Sequence, residues 1–429
     1  MAEVAGKRKI NGCRLPASAA VKLGYILLDG CADRPNPRLN FTTPLEAAYT
    51  PNLDKIARRS RLGRVITVKR GVAPESDIAV FNMLGYSFGE GYPGRGVVEA
   101  VGSGLTVSDG DLALRANLAS VKGRRIVDRR AGRDLTQDEA QRLAEELKGV
   151  KLDGAEFDYR ATVSYRGVLV IRAGGMLSGD VSNTDPAYAR VGGFGAARVI
   201  TSRESALPST PLSDSPKAKR AARLINEFVS KSAKVLAASA VNRERLTQGK
   251  LPANYVLLRD AGDHLPTVKS FKERHGVPGT ALVELPAEVG IARLLGMKMV
   301  SVRDAKDLKE KCRFFEEELR HDGVVYAHIK GPDEFGHDGD AVGKKKNIES
   351  IDRDFFATVS DLPRDVRLGV SCDHATPCTI KMHSADPVPL LSTTDSRGDA
   401  LRFTERSARR GSLGEFRGAD VLDLLLRDR

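Results

Sequence analysis

The stretch "GVVYAHIKGPDEFGHDGD", residues 323–340, decides the fold class. Its first half, Gly323 to Ile329, is a near-continuous apolar run, as in a strand buried on both faces of a parallel sheet. Its second half packs Asp333, Glu334, His337, Asp338 and Asp340 into the eleven residues from Lys330 to Asp340. Ligands of open α/β sheets bind at the carboxyl ends of strands. An apolar strand running into carboxylates and a histidine is therefore either a solvated turn or part of a metal site. Gly331, Pro332 and Gly336 favour a loop over a helix for this segment.

Working outward, the same strand signature recurs in "LGYILLDG" (23–30), "NYVLLRD" (254–260), "TALVEL" (280–285), "MVSVRD" (299–304), "VRLGVSCDH" (366–374) and "VPLLST" (388–393). Helical patterns such as "PAEVGIARLLG" and "DAKDLKEKCRFFEEELRHDG" separate several of them. Repeated β-α-β units imply an α/β fold, a mostly parallel sheet flanked by helices. Between about 110 and 250 the pattern changes. "LRANLASV", "RRIVDR" and "ATVSYRGVLVIR" alternate apolar and polar residues, as half-buried antiparallel strands do. A helix opens at the Thr136–Glu139 capping box and closes by Gly149. A Gly/Ser/Asp/Pro-rich passage (174–216) and a long helical run (217–248) follow. The expected organisation is a discontinuous core, 1–110 and 250–429, with a smaller α+β domain, 111–249, inserted in it.

Composition narrows the function classes. In 429 residues, 41% hydrophobic and 29% charged is ordinary for a soluble globular protein. No apolar stretch approaches the roughly 18 residues a membrane span needs. The N-terminus is basic and polar, without a secretory h-region, so a cytoplasmic location is expected. Five scattered cysteines without a CxxC pair suggest reduced, buried thiols. The net charge of +12 favours an anionic partner. A nucleic acid is disfavoured, because 5% aromatics and no tryptophan leave little for base stacking. A small phosphorylated or carboxylated substrate fits as well.

Three strands deliver ligand-type residues to one predicted edge: Asp29 after the first, Asp333 and His337 after the second, Asp373 and His374 after the third. His383 follows shortly beyond, and five of the seven histidines lie between His321 and His383. Taken singly, Asp29-Gly30 also reads as a turn, and Asp333/His337 as a solvated pair. Together they suit Mn²⁺, Mg²⁺ or Zn²⁺, and six donors exceed one tetrahedral site, so two ions are expected. Ser76, between Glu75 and Asp77 before a helical run, reads as a helix cap or as a nucleophile. The two are compatible, since a helix N-terminus also favours an attached phosphate. His321 and His328 read as structural, and Glu334, Asp338 and Asp340 as supporting or solvated groups.

"ILLDGCADRP", "TPLEAAYTPNLD", "PESDIAVFNMLGY", "YPGRGVVEA", "GPDEFGHDGD" and "CDHATPCTIKMHSADPVPLL", spanning residues 26 to about 391, together resemble the archaeal-type cofactor-independent phosphoglycerate mutases of the alkaline phosphatase superfamily. The resemblance implies an alkaline-phosphatase-like core with the inserted domain as a lid. It implies interconversion of 3-phosphoglycerate and 2-phosphoglycerate, without 2,3-bisphosphoglycerate, through a phosphoserine on Ser76. Asp29, Ser76, Asp373 and His374 would hold one divalent ion and Asp333, His337 and His383 the other. Mn²⁺ is the ion expected, with Mg²⁺, Co²⁺ or Zn²⁺ as alternatives. For the substrate's anionic groups, arginine forks are expected. Arg95 in "YPGRG" and Arg130 and Arg133 in "VDRRAGRD" are the candidates, with Asp128 a general base or an arginine's partner. The alternative activities on such a core are homoserine kinase-like, phosphopentomutase-like or plain phosphatase. An unrelated alternative is a nucleic-acid-binding protein whose metals are structural.

Overall fold

The computed structural model describes residues 21–88, 91–191, 194–197, 204–302, 307–394 and 398–427. Cys13 and the basic N-terminal extension lie outside them.

The apolar run Lys22–Leu28 becomes the inner strand of an eight-stranded sheet, with Tyr25, Ile26 and Leu27 fully buried. It lies parallel between Gly323–Ile329 and Arg367–Cys372, with Ile26 opposite both Ala327 and Val370. Gly279–Val283 and Lys298–Ser301 extend the sheet in parallel on one side. On the other side come Val388–Thr393, Ser60–Ile66 and Gly414–Arg417. Seven strands share one direction, and Val388–Thr393 alone runs against its neighbours. Helices cover the sheet: Phe315 of Leu308–Glu318, Ile348 of Ala341–Ile351 and Leu422 of Gly418–Arg427 share its apolar core. Among the described residues no helix is long and apolar enough to cross a membrane.

A second, antiparallel sheet contains Arg125–Asp128, Leu112–Lys122, Arg166–Arg172 and Glu156–Ala161. Its own apolar core includes Leu114, Leu169, Leu224 and Phe228. The capping-box helix forms over Gln137–Leu147, with Thr136 and Glu139 exchanging the expected hydrogen bonds. Two details differ from expectation. The 217–248 run is two helices, Pro216–Ala237 and Ala240–Thr247, divided where Ser239 turns extended. Tyr255–Gly262, grouped by its apolar run with the parallel strands, pairs antiparallel with Leu112–Lys122. It lies in contact with the helices Pro216–Ala237 and Arg95–Gly102. An antiparallel strand buried under helices carries the same continuous apolar pattern as a parallel one, so periodicity does not separate them.

Candidate active site

The central strand ends at Asp29, followed by the Gly30 turn, and its two parallel neighbours run on to Asp333 and to Asp373-His374. His383 reaches the same edge because the strand it leads into, Val388–Thr393, is the antiparallel one. The Gly30 N–H donates to Asp373 Oδ1 (3.0 Å), and a Cβ on Gly30 would meet Asp333 Oδ1 at 2.6 Å. The turn is thus part of the site.

The expected loop after Gly331 is a helix, Pro332–Asp338. Proline suits its first turn, and Gly336 is there for space, because a Cβ would meet Thr376 O at 2.4 Å. Gly339, left-handed at φ 76°, closes it. Asp333 and His337 therefore lie one turn apart on one helix face. Ser76 also departs from expectation: Glu75 is the cap, and Ser76 is the first residue of helix Ser76–Met83. Its hydroxyl lies 3.0 Å from His374 Nε2.

All seven residues expected at the metals come together. His374 Nε2 is 3.4 Å from Asp29 Oδ1 and 3.3 Å from Asp373 Oδ2. His383 Nε2 is 3.3 Å from His337 Nε2 and 3.5 Å from Asp333 Oδ1, and His337 Nε2 is 3.5 Å from Asp333 Oδ2. The His374 and His383 rings stack with centroids 3.8 Å apart. Each imidazole is tied down through Nδ1: His337 to Lys381 O (3.1 Å), His383 to Pro74 O (2.8 Å) and His374 to Thr376 Oγ1 (3.1 Å). Donation from Nδ1 leaves the Nε2 lone pair facing inward, the arrangement metal-ligating histidines use. Among the described residues, Asp29 Oδ1 and Asp373 Oδ2 are buried and meet no hydrogen-bond partner. Burial pulls the His383 pKa down, but Asp333 and Glu75 outweigh it and hold the ring at about 10. Such a field favours a cation beside the ring, and these donors suit divalent ones. Among the described residues, two donor groups have ligand atoms all within 4.8 Å of one another, Asp333/His374/His383 and Asp29/His328/Asp373. They regroup His374 and add His328, for which the sequence predicts a structural place.

A cavity of about 560 Å³ separates this edge from the antiparallel sheet. Asp333, Glu334, His337 and Asp338 line it from the core, and seven arginines also reach it. Arg130 and Arg133 are among them as expected. Arg95 is there too, with its guanidinium held by Glu75 (3.1 Å) and Glu99 (3.0 Å). Asp128 accepts from the Arg130 N–H (2.6 Å) and is not in the wall. Asp340 instead caps the next helix through Gly343 N–H (2.9 Å). Arg129, beside Arg130 in the same segment, also lines it, and sequence reasoning missed Arg115, Arg166 and Arg259. Arg259 lies over the Tyr188 ring, 4.0 Å from its centroid, and Arg115 pairs with Glu99 and Asp260. An arginine inside an otherwise apolar strand, as in "LRANLASV" and "NYVLLRD", is the signal that could have found two of them.

Comparison with known proteins decides the family. The family model described as 2,3-bisphosphoglycerate-independent phosphoglycerate mutase matches residues 57–242. The protein of that name from Aeropyrum pernix is 43% identical, over 93% of this chain and 97% of that protein. The chain belongs to the 2,3-bisphosphoglycerate-independent phosphoglycerate mutase family. The family member from Methanopyrus kandleri is 40% identical over 94% of this chain and 95% of its own length. Among solved structures, the cofactor-independent phosphoglycerate mutase of Thermoplasma acidophilum superposes with a TM-score of 0.62 at 29% identity, covering 95% of this chain and 99% of that one. A Pyrococcus horikoshii protein superposes with a TM-score of 0.78 at 30% identity, covering 95% and 97%. Membership of the phosphoglycerate mutase family fits a site of carboxylates and imidazoles facing an arginine-walled cavity.

Proposed function

We propose that this chain interconverts 3-phosphoglycerate and 2-phosphoglycerate through a phosphoserine on Ser76. The observation that carries the reading is the Ser76 hydroxyl at a helix N-terminus, 3.0 Å from His374 Nε2, on the edge facing the arginine-walled cavity. Asp29, Ser76, Asp373 and His374 hold one divalent ion; Asp333, His337 and His383 hold the other. Mn²⁺ is the ion the family resemblance implies, and this mixed oxygen and nitrogen set also accommodates Mg²⁺, Co²⁺ or Zn²⁺. Bound there, the ions supply Lewis acidity that lowers the serine pKa and neutralises phosphoryl oxygens.

Ser76 Oγ forms its bond to phosphorus as the substrate's P–O bond breaks. The N–H groups of the first helical turn face the group it then carries. Arg130, Arg133 and Arg166, in the cavity wall, supply forked hydrogen-bond donors for the substrate's anionic groups. Arg95, fixed between Glu75 and Glu99, contributes charge at the cavity wall. Asp128 braces the Arg130 turn through its backbone. Glycerate turns without leaving, and its other hydroxyl takes the group back from Ser76. Water must stay out during that turn, and the segment 111–249, extended by the strand to Gly262, is the lid that excludes it. The reaction is cytoplasmic in this reading and needs no 2,3-bisphosphoglycerate.

The test is direct. Acid quenching during turnover followed by peptide mass spectrometry is expected to show phosphate on Ser76. An unmodified Ser76 peptide, with phosphate on another residue, would contradict the assignment.

A further inference from the structure

Behind Asp29 and Asp373 lies a set of charges that the proposed reaction leaves unused. The Lys330 ammonium is 3.0 Å from Asp29 Oδ2, 3.1 Å from His328 Nδ1 and 3.3 Å from Glu288 Oε1. Its N–H donors face the Asp29 and Glu288 carboxylates and the His328 ring. The cage is built rather than solvated. The side chains of Glu288 and His328 are 5% and 1% exposed, that of Lys330 23%. Glu288 is fixed in turn, its Oε2 accepting from the Glu284 and Leu285 N–H groups at 3.0 and 3.4 Å.

The far nitrogen of His328, Nε2, faces Asp373 Oδ2 at 3.2 Å and Asp29 Oδ1 at 3.9 Å. Those three atoms are close enough to surround a divalent ion of their own. One feature argues against one: an ion there would share Asp29 with the Lys330 ammonium, a like charge in a poorly solvated place.

We propose that Lys330 is a built-in cation: its ammonium stands in for a third divalent ion beside the two-metal centre, and with His328 it positions the Asp29 and Asp373 carboxylates. This rests on the two-metal reading given above. Lys330 and His328 are positioning residues, since neither touches substrate. The lysine limits the site to two exchangeable ions and keeps one oxygen of Asp29 committed, so the other is presented to the metal.

Metal counting tests this independently of activity. Wild type, Lys330→Arg and Lys330→Ala would be stripped with EDTA, reloaded with Mn²⁺, desalted, and analysed by plasma mass spectrometry and by diffraction at the manganese edge. Two ions per chain are expected in wild type and Lys330→Arg, and three in Lys330→Ala, the third among Asp29, Glu288 and His328. A wild-type ion bonded to His328 Nε2 would overturn the proposal. So would a Lys330→Ala protein that still binds two ions with Asp29 unmoved. Should Lys330→Ala not fold, Lys330→Met decides by the same count: a third ion supports the proposal, and two ions with Asp29 unmoved overturn it. Wild type that binds no ion would instead remove the two-metal reading.

Discussion

Asp333 and His337 show how much rests on single side chains. Both lie within 3.5 Å of His383 Nε2, and His337 Nδ1 is anchored by the Lys381 carbonyl. Asp333→Ala and His337→Ala should each weaken Mn²⁺ binding by at least ~10-fold and lose activity, with the circular dichroism spectrum unchanged. Full activity in either would remove its residue from the site. Glu405 makes a different prediction. Burial raises its pKa to about 7, outweighing the hydrogen bonds from Thr43 and Asp33 that would lower it. A carboxyl group whose folded pKa is raised contributes stability below its unfolded pKa and loses it as pH rises through the folded value. Wild type should therefore lose stability relative to Glu405→Gln between about pH 4.5 and 7, seen as a melting-temperature difference that grows from pH 5 to pH 8. A constant difference would place the Glu405 pKa elsewhere. Residue identity was legible in the sequence where chemistry is concentrated: Asp29, Asp373-His374 and His383 stand out because strand ends point to them. His328 and Lys330 did not, because a histidine inside an apolar strand and a lysine just after it look like packing and solvation until the Glu288 helix is laid beside them.

At the scale of elements, the helices Arg95–Gly102 and Pro286–Leu294 matter most, since they carry Arg95 and Glu99 on one side and Glu288 on the other. They cross at glycines: a Cβ on Gly290 would meet Val98 O at 1.9 Å, and one on Gly102 would meet Pro286 O at 1.7 Å. Backbone cannot yield as a side-chain tip can, so Gly290→Ala should cost roughly 1–3 kcal/mol, read in urea unfolding. An unchanged midpoint would mean that the crossing is loose. Element type was readable wherever two signals agreed, as at the Thr136 capping box. It failed where one residue type serves two purposes. Gly331 and Gly336 read as breakers around 332–338, yet Gly336 is small so that a helix can lie against Thr376. The apolar run 255–262 carries no mark of strand direction, which only its pairing with Leu112–Lys122 reveals.

For the whole molecule, the +12 charge is concentrated in part at the cavity, where arginines from the antiparallel sheet face carboxylates and His337 beside the parallel one. The sequence could suggest an anionic partner but not this convergence, because Arg115, Arg166 and Arg259 are far apart along the chain and meet only through sheet pairing. If the inserted segment excludes water from phosphorylated Ser76, loosening its grip should divert the reaction. Arg130→Ala combined with Arg133→Ala should raise KM for phosphoglycerate and increase phosphate release per isomerisation, measured by a phosphate-binding dye. Unchanged partition between isomerisation and hydrolysis would argue against the lid role.

The most direct test of the central claim is conversion of 3-phosphoglycerate in a coupled assay with added Mn²⁺ and strictly no 2,3-bisphosphoglycerate, with wild type, EDTA-stripped protein and Ser76→Ala side by side. The account predicts activity in the metal-loaded wild type, its loss on stripping and recovery on reloading, and a fall of more than about 1000-fold in Ser76→Ala. Conversion that survives in Ser76→Ala, or that is indifferent to metal, would contradict it.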